Sequence, residues 1–119
     1  MRILLIDDST INNIIMENLL SEHGYETYSL LESESAINVI NTYKPDFIIL
    51  DLMMPGISGF EILKQMQEKS IKIPTIVISA HKDEGYEKKV KELGALDYFT
   101  KPFDQNELIK TIQKNIPNQ

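Results

Sequence analysis

Three aspartates stand directly after apolar segments and could together bind a metal ion. Asp7 and Asp8 follow Ile3–Ile6, and Asp51 follows Phe47–Leu50. Because the carboxyl ends of parallel strands meet at one edge of a sheet, we expect these carboxylates to lie close together. Carboxylates at such distances resist ionisation unless a cation screens them. The spacing therefore predicts a site for a hard divalent cation, Mg²⁺ or alternatively Mn²⁺.

Two further polar residues extend this chemistry towards phosphoryl transfer. Ser79 and Lys101 each follow a predicted strand, at the same edge. A bound Mg²⁺ tends to keep positions open for phosphate oxygens. The charge on a transferring phosphoryl group must be neutralised, and the Lys101 ammonium, the Ser79 hydroxyl and the Ala80 backbone N–H are suitable donors. Asp51 would then be the nucleophile and become an aspartyl phosphate.

The elements that must position these residues alternate regularly along the chain. Five apolar segments alternate with helical patterns, which is typical of a doubly wound α/β fold with a parallel sheet. The third and fourth segments are unbroken apolar or β-branched runs, so we expect them at or near the centre of the sheet. Right-handed crossovers place all strand carboxyl ends at one edge. The predicted strands are Arg2–Ile6, Glu26–Leu30, Phe47–Leu50, Thr75–Ile78 and Ala95–Phe99.

The helical patterns predict which faces pack on the sheet. The first helix begins at Ser9-Thr10 and stops at Gly24. Its apolar spacing predicts a core face of Ile11, Ile14, Ile15 and Leu19, with Met16 and Leu20 off that face and partly exposed. The remaining helices are predicted at Ser33–Tyr43, Gly59–Glu68 and Asp83–Leu93, with a fifth opening at Asp104 as its N-cap.

Length and composition narrow the class of protein. A chain of 119 residues with 42% hydrophobic content predicts one domain, residues 1–119. No apolar run is long enough for a membrane span and no signal-peptide pattern is present, which predicts a cytoplasmic protein without membrane contact. The absence of cysteine excludes disulfides and thiolate ligands. A net charge of −6 argues against direct nucleic-acid binding by this domain.

Each motif taken alone also has a simpler interpretation. Asp7-Asp8 could be only a helix cap, Asp51 could open a turn, and Lys101-Pro102 could only end a strand. Ser79-Ala80 could likewise mark a strand end. Their conjunction after strands one, three, four and five is what favours a shared site.

Four motifs occur in order along the chain: Ile3–Ser9, Pro45–Pro55 with Gly59, Pro74–Ala80 and Gly94–Phe103. With these motifs, the whole chain resembles the receiver domains of two-component response regulators, including chemotaxis-type and phosphorelay regulators. This resemblance implies a flavodoxin-like (βα)5 fold with strand order 2-1-3-4-5. Two departures are small: Ser79 stands where threonine is frequent, and the glycine that often opens helix two is replaced within Ser33-Glu34-Ser35.

The resemblance implies a role for each acidic residue. Asp51 is expected to accept a phosphoryl group from a partner's phosphohistidine. Asp8, Asp51 and the backbone carbonyl of Met53 would hold Mg²⁺, and Asp7 would act largely through water. By this resemblance the chain is a signalling receiver that catalyses only its own phosphorylation and dephosphorylation.

The resemblance also implies the switch and the partners. Ser79 and Lys101 would bind the phosphoryl oxygens, and Tyr98 would move inward when the Ser79 hydroxyl is drawn to the phosphate. The expected phosphodonor is a sensor histidine kinase or a histidine phosphotransfer protein. The expected output is a downstream protein or a covalent effector domain, reached through the face formed by helix four, strand five and helix five.

Two other functions use some of the same residues. A phosphohydrolase of the haloacid dehalogenase type also forms an aspartyl phosphate, but it expects an aspartate where Met53 stands and leaves the Asp7-Asp8 pair unexplained. A pseudo-receiver, which binds partners without taking phosphate, would not need the complete polar set. The sequence leaves open whether the receiver acts alone or belongs to a longer regulator.

Overall fold

Five parallel strands form one sheet in a computed structural model that describes residues 1–115, with strand order 2-1-3-4-5. This confirms the predicted doubly wound, flavodoxin-like fold. The strands are β1 Arg2–Ile6, β2 Glu26–Leu30, β3 Phe47–Asp51, β4 Thr75–Ser79 and β5 Asp97–Thr100. The helices are α1 Thr10–Glu22, α2 Ala36–Tyr43, α3 Gly59–Glu68, α4 Glu84–Glu92 and α5 Gln105–Lys114.

The central strands are apolar on both sides because helices cover both faces of the sheet. Ile48 and Leu50 of β3 belong to a core shared with α2, α3 and α4. Phe47 and Ile49 alternate with them and belong to the opposite core, shared with α1 and α5. This explains why β3 has no polar residue before Asp51, at its carboxyl end.

Side chains cap the amino ends of α1 and α5 close to the positions predicted from the sequence. The Ser9 hydroxyl accepts a hydrogen bond from the Asn12 N–H at the start of α1. Asp104 accepts from the Asn106 and Glu107 N–H groups at the start of α5, as its predicted N-cap role requires. Within residues 1–115, no helix has the length and apolar character needed to cross a membrane.

Two elements begin more than one residue away from the predicted start, and β3, β4 and β5 each end one residue later than predicted. α2 begins at Ala36, not at Ser33, because the Ser33 carbonyl accepts the Ala36 N–H in a turn before the helix. β5 begins at Asp97, not at Ala95, because the Ala95 N–H still donates to the Val90 carbonyl at the end of α4.

The predicted core face of α1 is wrong except at Leu19, and Met16 and Leu20, which were predicted to be partly exposed, are buried. The buried residues are Asn13, Met16, Leu19 and Leu20, whereas Ile11 is 71% exposed and Ile14 and Ile15 are each 50% exposed. The Asn13 amide donates to the Asp7 backbone carbonyl at 2.9 Å, which orients this face of the helix towards the sheet. The hydrophobic pattern did not predict this face because a polar residue, Asn13, occupies one of its buried positions. Three isoleucines are left on the outer surface of α1.

Candidate functional site

Three carboxylates meet at the carboxyl edge of the sheet. β1 and β3 are neighbours in register, with Ile6 opposite Leu50, so the residues that follow them converge. One oxygen from each of Asp7, Asp8 and Asp51 lies within 4.8 Å of the other two. The Asp51 side chain is only 11% exposed and that of Asp7 only 15%. The predicted cluster is therefore present, with Asp51 and Asp7 largely shielded from water and Asp8 exposed.

Asp51 has a strongly perturbed acidity. Burial, opposed by the Lys101 ammonium and by the Met53 backbone N–H and reinforced by the charges of Asp7 and Asp8, raises the pKa of Asp51 from the ordinary 3.8 to about 6. The ionised carboxylate of Asp51 is thus disfavoured in the protein alone. A cation bound beside it would favour ionisation.

Lys101 brings one positive charge to this cluster. Its Nζ atom lies 3.3 Å from Asp7 Oδ2 and 3.9 Å from Asp51 Oδ2. The Lys101 backbone N–H donates to the Ser79 carbonyl, which ties the end of β5 to the end of β4. If all three carboxylates ionise, the single ammonium leaves two negative charges uncompensated. The donor set contains only oxygen, so it fits a hard divalent cation such as Mg²⁺.

Ser79 and Tyr98 are connected through the main chain of His81. Ser79 is fully buried, and its Oγ accepts the His81 N–H at 3.1 Å. The Tyr98 hydroxyl donates to the His81 carbonyl, and the Tyr98 ring is buried. Ala80, between Ser79 and His81, is exposed at the rim of the site. The Ser79 hydroxyl and the Tyr98 hydroxyl therefore bond to the two backbone groups of one residue, His81.

The loop after Asp51, residues 52–58, connects β3 to α3. Met53 is 39% exposed in this loop, next to the carboxylates. The Gly59 N–H donates to the Leu52 carbonyl at 2.8 Å and brings the start of α3 close to β3. A Cβ atom on Gly59 would lie 2.8 Å from the Asp51 carbonyl oxygen. Only glycine fits at this position without moving the backbone that carries Asp51.

The sequence reasoning missed the residues that orient Asp7. The Ser9 N–H donates to Asp7 Oδ1 at 2.9 Å, and the Asn12 amide lies 3.5 Å from Asp7 Oδ2. Two adjacent asparagines in the first turns of a helix that follows two aspartates were the available signal.

A cavity of about 360 Å³ also opens beside Asp51, walled partly by Ile15 of α1 and by Phe103 before α5. The apolar periodicity of α1 predicted that Ile15 lies on the core face of the helix, and so it did not predict this position in the cavity wall.

Comparison with known proteins identifies relatives along nearly the whole chain. A family model described as "Response regulator receiver domain" matches residues 3–113. Sporulation initiation phosphotransferase F of Bacillus subtilis is 33% identical over 116 residues, which cover 98% of this chain and 94% of that protein. The alkaline phosphatase synthesis transcriptional regulatory protein PhoP of the same organism is 36% identical over 108 residues, 90% of this chain and 45% of that protein. The receiver domain of the Francisella response regulator 1452 superposes with a TM-score of 0.89 at 30% identity, covering 95% of this chain and 93% of that one.

Proposed function

Since this chain belongs to the response regulator receiver domain family of two-component signalling, we propose that it switches partner binding by accepting a phosphoryl group on Asp51. One observation carries the assignment to Asp51. It is a largely buried carboxylate flanked by two further carboxylates and by the Lys101 ammonium. An acceptor of phosphoryl groups needs such a nucleophile beside groups that can neutralise phosphate charge.

The metal-binding residues in this proposal are Asp7, Asp8, Asp51 and the backbone carbonyl of Met53. When bound, Mg²⁺ would supply positive charge to phosphoryl oxygens and to the acidic cluster. Asp7, which already accepts hydrogen bonds from Ser9 and Lys101, is held in place from two sides. Its contact with the metal would run largely through water.

The proposed reaction is a transfer from a partner's phosphohistidine. An Asp51 carboxylate oxygen forms a bond to phosphorus, and the bond between phosphorus and the donor's imidazole nitrogen breaks. Lys101 and the Ser79 hydroxyl would donate hydrogen bonds to the phosphoryl oxygens, together with the Ala80 backbone N–H. The chain would act on no separate substrate, since the product stays attached to Asp51 until it is hydrolysed or passed on.

The proposed switch uses the connection through His81. If the Ser79 hydroxyl turns towards a phosphoryl oxygen, its hydrogen bond from the His81 N–H weakens. The His81 carbonyl, to which Tyr98 donates, then shifts with the loop. The result is a change in the population of two arrangements of the surface formed by α4, β5 and α5, where an output protein or a covalent effector domain would bind.

The exposed isoleucines of α1 favour a protein phosphodonor. Ile11, Ile14 and Ile15 are at least half exposed, and Ile15 also walls the cavity beside Asp51. An apolar surface beside a reactive carboxylate suits a partner that buries these side chains while its phosphohistidine enters the site. A sensor histidine kinase or a histidine phosphotransfer protein is such a partner.

A substitution on this surface tests the docking proposal. We expect Ile11→Ala to slow transfer from a phosphorylated phosphotransfer protein by about tenfold at limiting concentrations, since an interface anchor contributes on the order of 1–2 kcal/mol. The rate with a small phosphodonor, which needs no contact with α1, is the reference for each variant. Leu96→Ala is the matched control. Leu96 is also an exposed apolar residue, at 41%, but it lies just before the edge strand β5 and not on α1. Equal slowing by both substitutions would contradict the docking surface.

The proposed function is tested on the unmodified chain with a small phosphodonor. Incubation with acetyl phosphate and Mg²⁺ should add the mass of one phosphoryl group, measured by intact-protein mass spectrometry. A chelator present from the start should suppress the addition, because the acidic cluster would lack its neutralising cation. An equal mass increment in excess chelator would contradict the metal requirement, and no increment under any donor condition would contradict the function.

A further inference from the structure

A buried hydroxyl links the segment before α2, residues 31–35, to the 52–58 loop. Ser33 is 1% exposed, and its Oγ accepts the Ile57 N–H at 2.9 Å and donates to the Pro55 carbonyl at 3.3 Å. It therefore satisfies two backbone groups of the loop at once. It lies in the short segment that replaces the glycine often found before helix two, and a glycine could make neither bond.

The turn around Gly56 is shaped to receive this segment. Gly56 has φ +84°, a conformation that glycine adopts without strain. A Cβ atom on Gly56 would lie 2.0 Å from Glu34 Oε1 and 3.4 Å from Ser33 Oγ. The absence of a side chain at Gly56 thus allows the close approach of both residues. The contact between the two loops is specific and tight.

The position of the 52–58 loop matters because Met53 lies within it. The Met53 backbone N–H lies close enough to the Asp51 carboxylate to lower its pKa, and the Met53 carbonyl is a proposed metal ligand. The base of the loop is held by the bond between Gly59 and Leu52. Among residues 1–115, Ser33 is the only residue of another segment whose side chain hydrogen-bonds this loop.

We propose that Ser33 is a positioning residue for the metal site: its hydroxyl holds the turn at Pro55–Ile57 and thereby keeps the Met53 peptide aligned with the acidic cluster. Hydrogen-bonded groups behind a metal ligand commonly set the affinity of the site by fixing the ligand's orientation. This inference rests on the proposed function, because it takes the Met53 carbonyl as a ligand.

The test is the affinity of the full chain for Mg²⁺ alone, measured by titration calorimetry. We expect Ser33→Ala to raise the Kd for Mg²⁺ by about tenfold, the lower end of the effect of removing such a supporting group. Ser35→Ala is the matched control. It removes a hydroxyl from the same segment, but that hydroxyl donates to Glu32 and makes no bond to the 52–58 loop. Unfolding in urea establishes that each variant is folded at the titration temperature.

Two results would overturn the inference. One is a folded Ser33→Ala protein whose Kd equals that of the unmodified chain. If the hydroxyl were merely structural, its loss would lower the free energy of unfolding and leave the Kd unchanged. The other is an equal rise in Kd for Ser35→Ala, which would show that the effect is not specific to the loop contact.

A second measurement needs no substitution. If the Ser33 bonds favour metal binding, then by linkage metal binding must favour those bonds. Mg²⁺ should therefore slow amide hydrogen exchange at Ile57 in the unmodified chain, and an unchanged exchange rate under saturating Mg²⁺ would contradict the inference. If the unmodified chain shows no saturable Mg²⁺ binding at all, the proposed metal site fails instead, so the two failures are distinguishable.

Discussion

Asp51→Asn is expected to reduce phosphoryl incorporation below detection. The amide keeps the size of the aspartate side chain but offers no anionic oxygen to form the bond to phosphorus. Asp7 and Asp8 remain in place, so this variant removes the nucleophile while leaving most of the acidic cluster. The measurement is the intact mass after incubation with acetyl phosphate and Mg²⁺, compared with the unmodified chain.

Two controls make this result decisive. Asp97→Asn makes the same chemical change at the amino end of β5, whereas the acidic cluster lies at the carboxyl ends of the strands. This variant should leave phosphorylation intact. Asp51→Asn should also be no less stable to urea at neutral pH, because burial and neighbouring carboxylates raise the pKa of Asp51 and disfavour its charge. A phosphoryl increment of normal size in Asp51→Asn would disprove the assignment of the acceptor.

Lys101→Met is expected to slow phosphorylation by about 10²–10³-fold, as loss of a group that stabilises transition-state charge typically does. The Lys101 ammonium lies within 4 Å of both Asp7 and Asp51, and it is the only cationic side chain that forms an ion pair with the cluster among residues 1–115. Methionine keeps an unbranched apolar stem of similar length. The rate is measured from the time course of mass addition at saturating Mg²⁺.

Measuring the affinity of Lys101→Met for Mg²⁺ distinguishes a loss of transition-state stabilisation from general damage to the site. Removing a positive charge from beside three carboxylates should leave the Kd for Mg²⁺ unchanged or lower it, while the phosphorylation rate falls. Lys110→Met is the control, because the Lys110 side chain is 73% exposed on α5. A Lys101→Met protein that is phosphorylated within about twofold of the normal rate would contradict a role in transition-state stabilisation.

The fold and the acidic cluster were accessible from the sequence because both depend on short local patterns. Unbroken apolar runs such as Phe47–Leu50 predict strands buried on both faces, and their order with the helices predicts a parallel sheet. A parallel sheet then brings residues that follow the strands to one edge. Asp7, Asp8 and Asp51 meet there, with one oxygen from each within 4.8 Å of the others.

The five-stranded architecture and the meeting of its polar strand ends thus followed from the residues alone, since strands that alternate with helices form a parallel sheet whose carboxyl ends lie at one edge. The buried face of α1 and the hydroxyl that supports the 52–58 loop became visible only from the packing of the elements against one another. The Asn13 amide orients α1 by bonding the Asp7 carbonyl, against the preference of its isoleucines for burial. Ser33 reaches Pro55 and Ile57 across more than twenty residues of chain. Contacts between distant segments leave no periodic trace, because they depend on how packed elements are rotated and spaced.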